Sequence, residues 1–172
     1  LSGGEPLLQA GFVRELLEES KREGLHTAVD TAGNVPWEAF ESVLPFVDLF
    51  LYDVKVADEE LHRQVTGVSN TRILDNLKRL AGKGTTILIR IPVIPGVNDT
   101  PEEMERIGLL IKDLDNIEYA DLLPFHGLGE SKYASLGMEY KAKGYQPPEP
   151  ELMDSLAEIL GEMDIRVKIG RK

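Results

Sequence analysis

Ionisable side chains lie at or near the ends of several short apolar segments in this sequence. Asp30 ends the segment LHTAVD, and Asp53 and Lys55 lie at the end of DLFLYDVK. Arg90 interrupts the apolar run TTILIRIPVI, and His126 follows EYADLLPF. Side chains two residues apart on a strand share a face, so Asp53 and Lys55 can pair with each other or together bind a zwitterionic ligand. These residue types predict a binding site for a charged ligand.

Each of these residues also has a purely structural explanation. Asp53 and Lys55 could form an ion pair, and His126 could be a loop histidine that bonds nearby backbone. Arg90 could belong to an edge strand, because an arginine within a buried apolar strand is costly unless its guanidinium reaches a carboxylate or a solvated cavity. A cavity lined for a ligand would account for Arg90 equally well.

Alternating strands and helices must position these residues. The apolar runs predict strands at 25–30, 48–55, 85–94, 118–125 and 165–169, and the helical patterns cover about 8–23, 36–44, 58–65, 70–82, 100–113 and 152–163. Strands that alternate with helices at a spacing of about thirty residues predict right-handed βαβ units and a parallel sheet, covered on both faces. The sheet is then either a complete or partial (β/α) barrel or a doubly wound sheet. No repeat or linker marks a boundary, so residues 1–172 predict a single domain.

The sequence also predicts how two of the helices begin or end. In NDTPEEM, Thr100 and Glu103 predict a Thr-x-x-Glu capping box at a helix start. Gly24 follows the first helix at the position of a helix C-cap. The apolar residues predicted to share one face of the first helix are Phe12, Val13, Leu16 and Leu17.

Composition excludes several classes of function. Asp and Glu outnumber Lys and Arg by 30 to 19, which gives a net charge of -11 and disfavours binding to nucleic acid or anionic membranes. No apolar run approaches the roughly 18 residues of a membrane span, and no signal peptide precedes the first helix, so a cytoplasmic protein is predicted. The 172 residues contain no cysteine, which excludes a disulfide, a thiol nucleophile or a thiolate metal site within them.

Five motifs occur in a fixed order along the chain. Taken alone, Gly3 and Gly4 in SGGEPLLQ predict only a tight turn into a helix that Pro6 begins. Together, SGGEPLLQ, VDTAG, LYDVK, IRIPVIPGVND and LLPFHGLGESKYASLG resemble the radical S-adenosylmethionine (SAM) enzymes that activate glycyl radical enzymes, the group typified by pyruvate formate-lyase activating enzyme. The resemblance extends over essentially the whole chain.

The resemblance implies a fold and a site. The fold is α/β, a partial (β/α) TIM-like barrel of parallel strands that is truncated at its N-terminus. The Gly-Gly-Glu-Pro backbone would bind the SAM amino group, and the Asp53 and Lys55 pair would lie near the SAM carboxylate and ribose. A monovalent cation could lie near Asp30, Thr31 and Asp53. The residues implied to line the SAM pocket are Gly3, Gly4, Glu5, Pro6, Asp30, Thr31, Asp53, Lys55, Arg90 and His126.

The same resemblance implies a radical reaction. In this family a reduced [4Fe-4S] cluster passes one electron to the sulfonium of SAM, and the resulting 5'-deoxyadenosyl radical takes a hydrogen from a glycine of the partner enzyme. The cluster is held by a Cys-x-x-x-Cys-x-x-Cys loop upstream of Gly-Gly-Glu-Pro, which this chain lacks. We therefore expect an inactive piece of a longer activase. Its implied partners are a glycyl radical enzyme such as pyruvate formate-lyase and an electron donor such as flavodoxin or ferredoxin.

Two other interpretations stay open at this point. The chain could be a natural cysteine-free relative that acts as a binding or regulatory module. It could also be an unrelated (β/α) enzyme of sugar or phosphate chemistry, with Asp53 and Lys55 as its acid/base pair. If two strands of the barrel are missing, the strand at 25–30 is an unpaired edge, and we expect edge pairing or dimerisation through Thr27 to Asp30.

Overall fold

The computed structural model describes residues 1–126, 137 and 144–170, so the motif segment after His126 lies mostly outside the described residues. The strands are β1 Ala28–Thr31, β2 Leu49–Asp53, β3 Thr86–Val93, β4 Ile117–Pro124 and β5 Val167–Ile169. The α-helices are α1 Ala10–Arg22, α2 Trp37–Val43, α3 Glu59–Thr66, α4 Thr71–Ala81, α5 Pro101–Ile111 and α6 Pro150–Gly161, and short 3-10 helices span Pro6–Gln9 and Leu44–Phe46. Each predicted element is present, with ends that shift by one to three residues.

The strands of the described residues form one sheet in the order β1-β2-β3-β4-β5. Every neighbouring pair is parallel. A doubly wound sheet would reverse its strand order at a switch point, whereas a sequential order with right-handed crossovers keeps every helix on the same side of the sheet. The doubly wound alternative is therefore wrong, and the predicted partial-barrel arrangement of parallel strands is confirmed.

Burial alternates along the strands. In β2, Phe50 and Tyr52 are fully buried, while Leu49, Leu51 and Asp53 are half-buried. The buried positions join the apolar sides of the helices in a single core cluster. The opposite side of the sheet is covered only in part by the described residues, since Leu51 and Asp53 are half-buried while Leu88 of β3 is 6% exposed. We call the other side, which carries Leu51 and Asp53, the open face.

The first helix buries only part of its predicted apolar face. Val13 and Leu17 are 4% and 2% exposed, but Phe12 and Leu16 are 63% and 39% exposed. Neighbouring residues on a helix point about 100° apart. The sheet therefore covers Val13 and Leu17 and leaves Phe12 and Leu16 at the edge of the contact. Gly24 does end this helix as predicted, in a left-handed conformation with φ of 73°.

The start of α5 forms half of the predicted capping box. The Thr100 hydroxyl accepts a hydrogen bond from the Glu103 amide at 3.2 Å, as expected of an N-cap. The Glu103 carboxylate is 3% exposed and accepts a hydrogen bond from the Ala57 amide. It turns to the loop after β2, where it satisfies a partly buried backbone donor.

The outer edge of β1 is shorter than predicted. The Leu1 ammonium donates to the Ala28 carbonyl at 2.5 Å, and the Asp30 amide donates to the Leu1 carbonyl at 2.9 Å. Thr27 does not belong to this edge, since its amide donates to the Asp48 carboxylate at 2.8 Å. The first residue of the chain thus occupies two of the backbone groups expected to recruit a partner.

Candidate ligand-binding site

Four charged side chains from three adjacent strands meet on the open face. Arg90 Nη1 lies 2.6 Å from Asp30 Oδ2, and its Nε lies 3.7 Å from Asp53 Oδ1. Lys55 Nζ lies 3.1 Å from Asp53 Oδ2. We call these four residues the charged cluster. Their side chains keep between 21% and 33% of their surface exposed, so the pairs neutralise one another and still face solvent.

The register of the sheet places these side chains. Asp53 is the pairing partner of Arg90 across β2 and β3. Because β3 is a central strand, the edge-strand explanation of Arg90 is wrong. The guanidinium instead finds two carboxylates, which is the arrangement that makes an arginine tolerable at such a position. The predicted ion pair between Asp53 and Lys55 is confirmed.

One oxygen of the cluster has unused bonding capacity. Asp53 Oδ1 is buried and accepts no hydrogen bond from the described residues. The 3.7 Å separation from Arg90 Nε is too long for a hydrogen bond. Buried carboxylate oxygens are nearly always satisfied, so Asp53 Oδ1 is an exception among the described residues.

The Gly-Gly-Glu-Pro turn is docked onto the end of β1. The Glu5 carboxylate accepts hydrogen bonds from the Thr31 hydroxyl at 2.9 Å, the Ala32 amide at 2.9 Å and the Leu7 amide at 3.2 Å. The carboxylate therefore fixes the turn, and Pro6 continues it into the 3-10 helix.

The two glycines of this turn have free space beside them. Gly3 and Gly4 have φ values of 103° and 59°, and no atom of the described residues lies within 4 Å of a Cβ built on either. The adjacent Ser2 hydroxyl donates to Asp30 Oδ2 at 2.9 Å. The positive φ values account for glycine at both positions, and the bond from Ser2 brings their backbone beside the charged cluster.

Two of the predicted site residues lie apart from the cluster. Thr31 is 2% exposed, and strand alternation turns it away from Asp30 to the helical side, where its hydroxyl bonds Glu5. The Thr31 hydroxyl thus points away from Asp30 and Asp53, and a cation near these three residues stays a prediction. His126 is exposed beyond β4, and the described residues show no bond between its ring and the cluster.

Sequence reasoning missed Asp121. In the register of the sheet, Asp121 lies opposite Arg90 of β3 on one side and opposite Lys168 of β5 on the other. The row of charged residues therefore continues across β4 and β5. Burial raises the pKa of Asp121, while Arg90 and Lys168 act in the opposite direction. The Lys168 ammonium lies 3.6 Å from the centroid of the Tyr119 ring. The sequence did contain a signal for Asp121, because it is an acidic residue within an apolar strand, just as Arg90 is a basic one.

Other kinds of site are not found in the described residues. No group of three or more His, Asp or Glu side chains there could hold a metal ion, and no helix there is long and apolar enough to cross a membrane. A shallow cavity of about 690 Å³ lies between α2 and α4, beside Trp37 and Arg79. It includes none of the predicted site residues.

Comparison with known proteins places this architecture in a class. Residues 1–108 match the Radical SAM superfamily. The crystal structure of a domain of pyruvate-formate lyase-activating enzyme from Bacteroides vulgatus ATCC 8482 superposes with a TM-score of 0.84 at 29% identity, over 99% of this chain and 97% of that one. The parallel sheet with its charged open face is thus the sheet of a radical SAM domain.

Curated relatives narrow the class further. The pyruvate formate-lyase 1-activating enzyme of Escherichia coli (strain K12) is 39% identical over 168 residues, which cover 96% of this chain and 68% of that protein. The (2S)-3-sulfopropanediol dehydratase activating enzyme of Klebsiella oxytoca is 38% identical over all of this chain and 56% of that protein. The chain belongs to the radical SAM family of activating enzymes for glycyl radical enzymes. This membership excludes the unrelated sugar or phosphate enzyme.

Proposed function

We propose that the open face binds SAM and that the complete protein cleaves SAM reductively to leave a glycyl radical on a partner enzyme. The observation that supports this best is the Asp53 carboxylate, whose Oδ2 pairs with Lys55 and whose Oδ1 lies 3.7 Å from Arg90 Nε without a hydrogen bond. SAM brings an ammonium, a carboxylate, a sulfonium and ribose hydroxyls. A site of mixed charge with one free acceptor suits such a ligand better than it suits a simple anion or cation.

Each side chain of the cluster has a role in this proposal. Asp53 accepts from a hydroxyl or the ammonium, and Lys55 attracts the carboxylate. Arg90 keeps Asp30 and Asp53 at fixed positions, because it bonds or approaches both. The open Gly3 and Gly4 backbone offers hydrogen-bonding groups to the methionyl end of SAM. These residues bind and orient, and none of them needs to transfer a proton.

The iron–sulfur cluster does not fit the residues of this chain. In the complete protein a [4Fe-4S] cluster would supply the electron that cleaves SAM. The 172 residues contain no cysteine, so thiolate ligands would have to come from outside them. We therefore propose that these residues hold SAM, and we expect them to be inactive by themselves.

The partners follow from the family. We propose a glycyl radical enzyme of the pyruvate formate-lyase type as the substrate protein and a flavodoxin or ferredoxin as the electron donor. The cytoplasmic location stays a prediction. His126 stays a predicted SAM contact, since it follows β4 at the same edge of the sheet as the cluster.

An anoxic cleavage assay tests this function. The protein is expressed from its complete reading frame, reconstituted with iron and sulfide, reduced and assayed for 5'-deoxyadenosine, next to the 172-residue chain. We expect product from the complete protein, loss of product with Asp53→Ala and His126→Ala, and none from the chain alone. A complete protein that assembles no cluster and cleaves no SAM would contradict the proposal and favour the cysteine-free binding module.

A further inference from the structure

Asn98 is a buried amide that joins two loops of the site. Its side chain is fully buried. Its Nδ2 donates to the Lys55 carbonyl at 2.6 Å and to the Pro92 carbonyl at 2.7 Å, and its Oδ1 accepts from the Ile94 amide at 2.7 Å. The bond to Lys55 spans 43 positions of sequence. One side chain thus ties the loop after β2 to the end of β3.

The primary amide of asparagine matches this set of partners. The two carbonyls need two N–H donors, and the Ile94 amide needs an acceptor, which together match the inventory of a primary amide. Aspartate of the same shape keeps the acceptor but turns an anion toward two carbonyl oxygens. Leucine of similar size leaves three partly buried backbone groups without their partner, which is costlier than losing the bonds alone.

Two further buried side chains hold the same loop. The Asn70 amide donates to the Val56 carbonyl at 3.2 Å and to the Ala57 carbonyl at 2.8 Å. Glu103 accepts from the Ala57 amide. The segment from Lys55 to Ala57 is therefore a loop whose backbone groups are bonded to side chains from three other segments. These bonds restrain the loop, and the bond from Asn98 is the one that restrains Lys55.

We propose that Asn98 is a positioning residue that holds the Lys55 ammonium against Asp53 and so preorganises the charged cluster for its ligand. The effect on ligand binding, which we call the cluster side, rests on the proposed function. The restraint of the loop by Asn98, which we call the loop side, concerns this chain alone. The cation reaches Asp53 at 3.1 Å from a backbone position one residue beyond the last bond to β3, which the Val54 amide donates to the Arg90 carbonyl at 2.9 Å. Freeing the Lys55 carbonyl would let the ammonium move off the carboxylate.

Amide hydrogen exchange on the 172-residue chain tests the loop side. The reporter is the Ala57 amide, because Glu103 and not Asn98 is its partner. We expect Asn98→Asp to speed its exchange at least tenfold. The matched control is Asn76→Asp, since Asn76 is also buried and donates to two carbonyls, those of Gly33 and Val35. Once any change in global stability is allowed for, Asn76→Asp should leave the exchange rate of the Ala57 amide unchanged.

Equal acceleration in both variants would show a general loss of stability and overturn the inference, as would no acceleration in either.

SAM binding to the anoxically reconstituted complete protein then tests the cluster side. We expect Asn98→Asp to raise the Kd at least tenfold and Asn76→Asp to change it less than threefold. Wild-type protein that binds no SAM refutes the proposed function, while the exchange result still decides the role of Asn98. Unchanged affinity in Asn98→Asp, with wild-type binding intact, overturns the preorganisation.

Discussion

The carboxylate of Glu5 is predicted to be an anchor of the Gly-Gly-Glu-Pro turn, and its removal should be measurable as lost stability. Glu5→Ala leaves the Thr31 hydroxyl, the Ala32 amide and the Leu7 amide without their acceptor. Hydrogen bonds to a charged group contribute about 1.5 to 3 kcal/mol, and Glu5 is partly exposed, so water replaces some of them. We expect the free energy of unfolding to fall by about 2 to 3 kcal/mol. Glu5→Gln keeps one acceptor oxygen and should cost about half as much.

Urea denaturation can measure this loss, because the single tryptophan, Trp37, is 6% exposed and reports unfolding by its fluorescence. Glu23→Ala is the control, since Glu23 is exposed and should change the free energy by less than about 0.5 kcal/mol. A double-mutant cycle with Thr31→Val should give a coupling of about 1 kcal/mol. If Glu5→Ala matches the control, or if the cycle shows no coupling, the carboxylate does not anchor the turn.

Three further predictions concern other parts of the fold. Gly33→Ala would place a Cβ 1.9 Å from the buried Tyr52 hydroxyl at a φ of 75°, so we expect it to cost about 2 to 5 kcal/mol in urea denaturation. Gly84→Ala has a similar φ of 83° in open space and should cost only about 1 to 2 kcal/mol; equal costs would contradict the steric argument. The Lys21 ammonium, with the Thr27 amide, holds the pKa of Asp48 well below its usual range, so its stabilising effect is present above about pH 4 and is lost as the pH falls. Acid titration of the unfolding free energy should therefore flatten in Asp48→Asn, and an unchanged acid slope would refute this. Leu1 occupies only the Ala28 carbonyl and the Asp30 amide of the outer edge of β1, so we still expect self-association through the rest of this edge, seen as a sedimentation mass that rises with concentration; a monomer at every concentration would refute it.

The sequence was sufficient for the order of elements and for most of the charged cluster. Asp30, Asp53 and Arg90 follow from local pattern, because each interrupts or ends an apolar strand and parallel strands bring such ends together. The periodicity of the sequence fits both a (β/α) barrel and a doubly wound sheet, and only the strand order in the structure decided between them. The exposed Phe12 shows the limit of that reasoning, since periodicity defines an apolar side but not how much of it a neighbour covers.

What the sequence could not predict are contacts between distant segments. Glu5 bonds residues 26 and 27 positions away, and Asn98 reaches the carbonyl of Lys55 from a different loop. The Glu103 carboxylate leaves its expected helix-capping role for the Ala57 amide for the same reason. Each of these side chains satisfies a partly buried backbone group whose need for a partner arises only once the chain has folded.

The central claim is that the charged cluster binds SAM, and equilibrium binding tests it most directly. The complete, anoxically reconstituted protein would be titrated with SAM as wild type, as Asp53→Asn, and as Asp75→Asn, an exposed carboxylate on α4. Asp53→Asn keeps the shape and removes the charge, so losing a charge-assisted contact should raise the Kd about tenfold or more. Asp75→Asn should bind as wild type does. Equal affinity in all three proteins would contradict the assignment of this face as the SAM site.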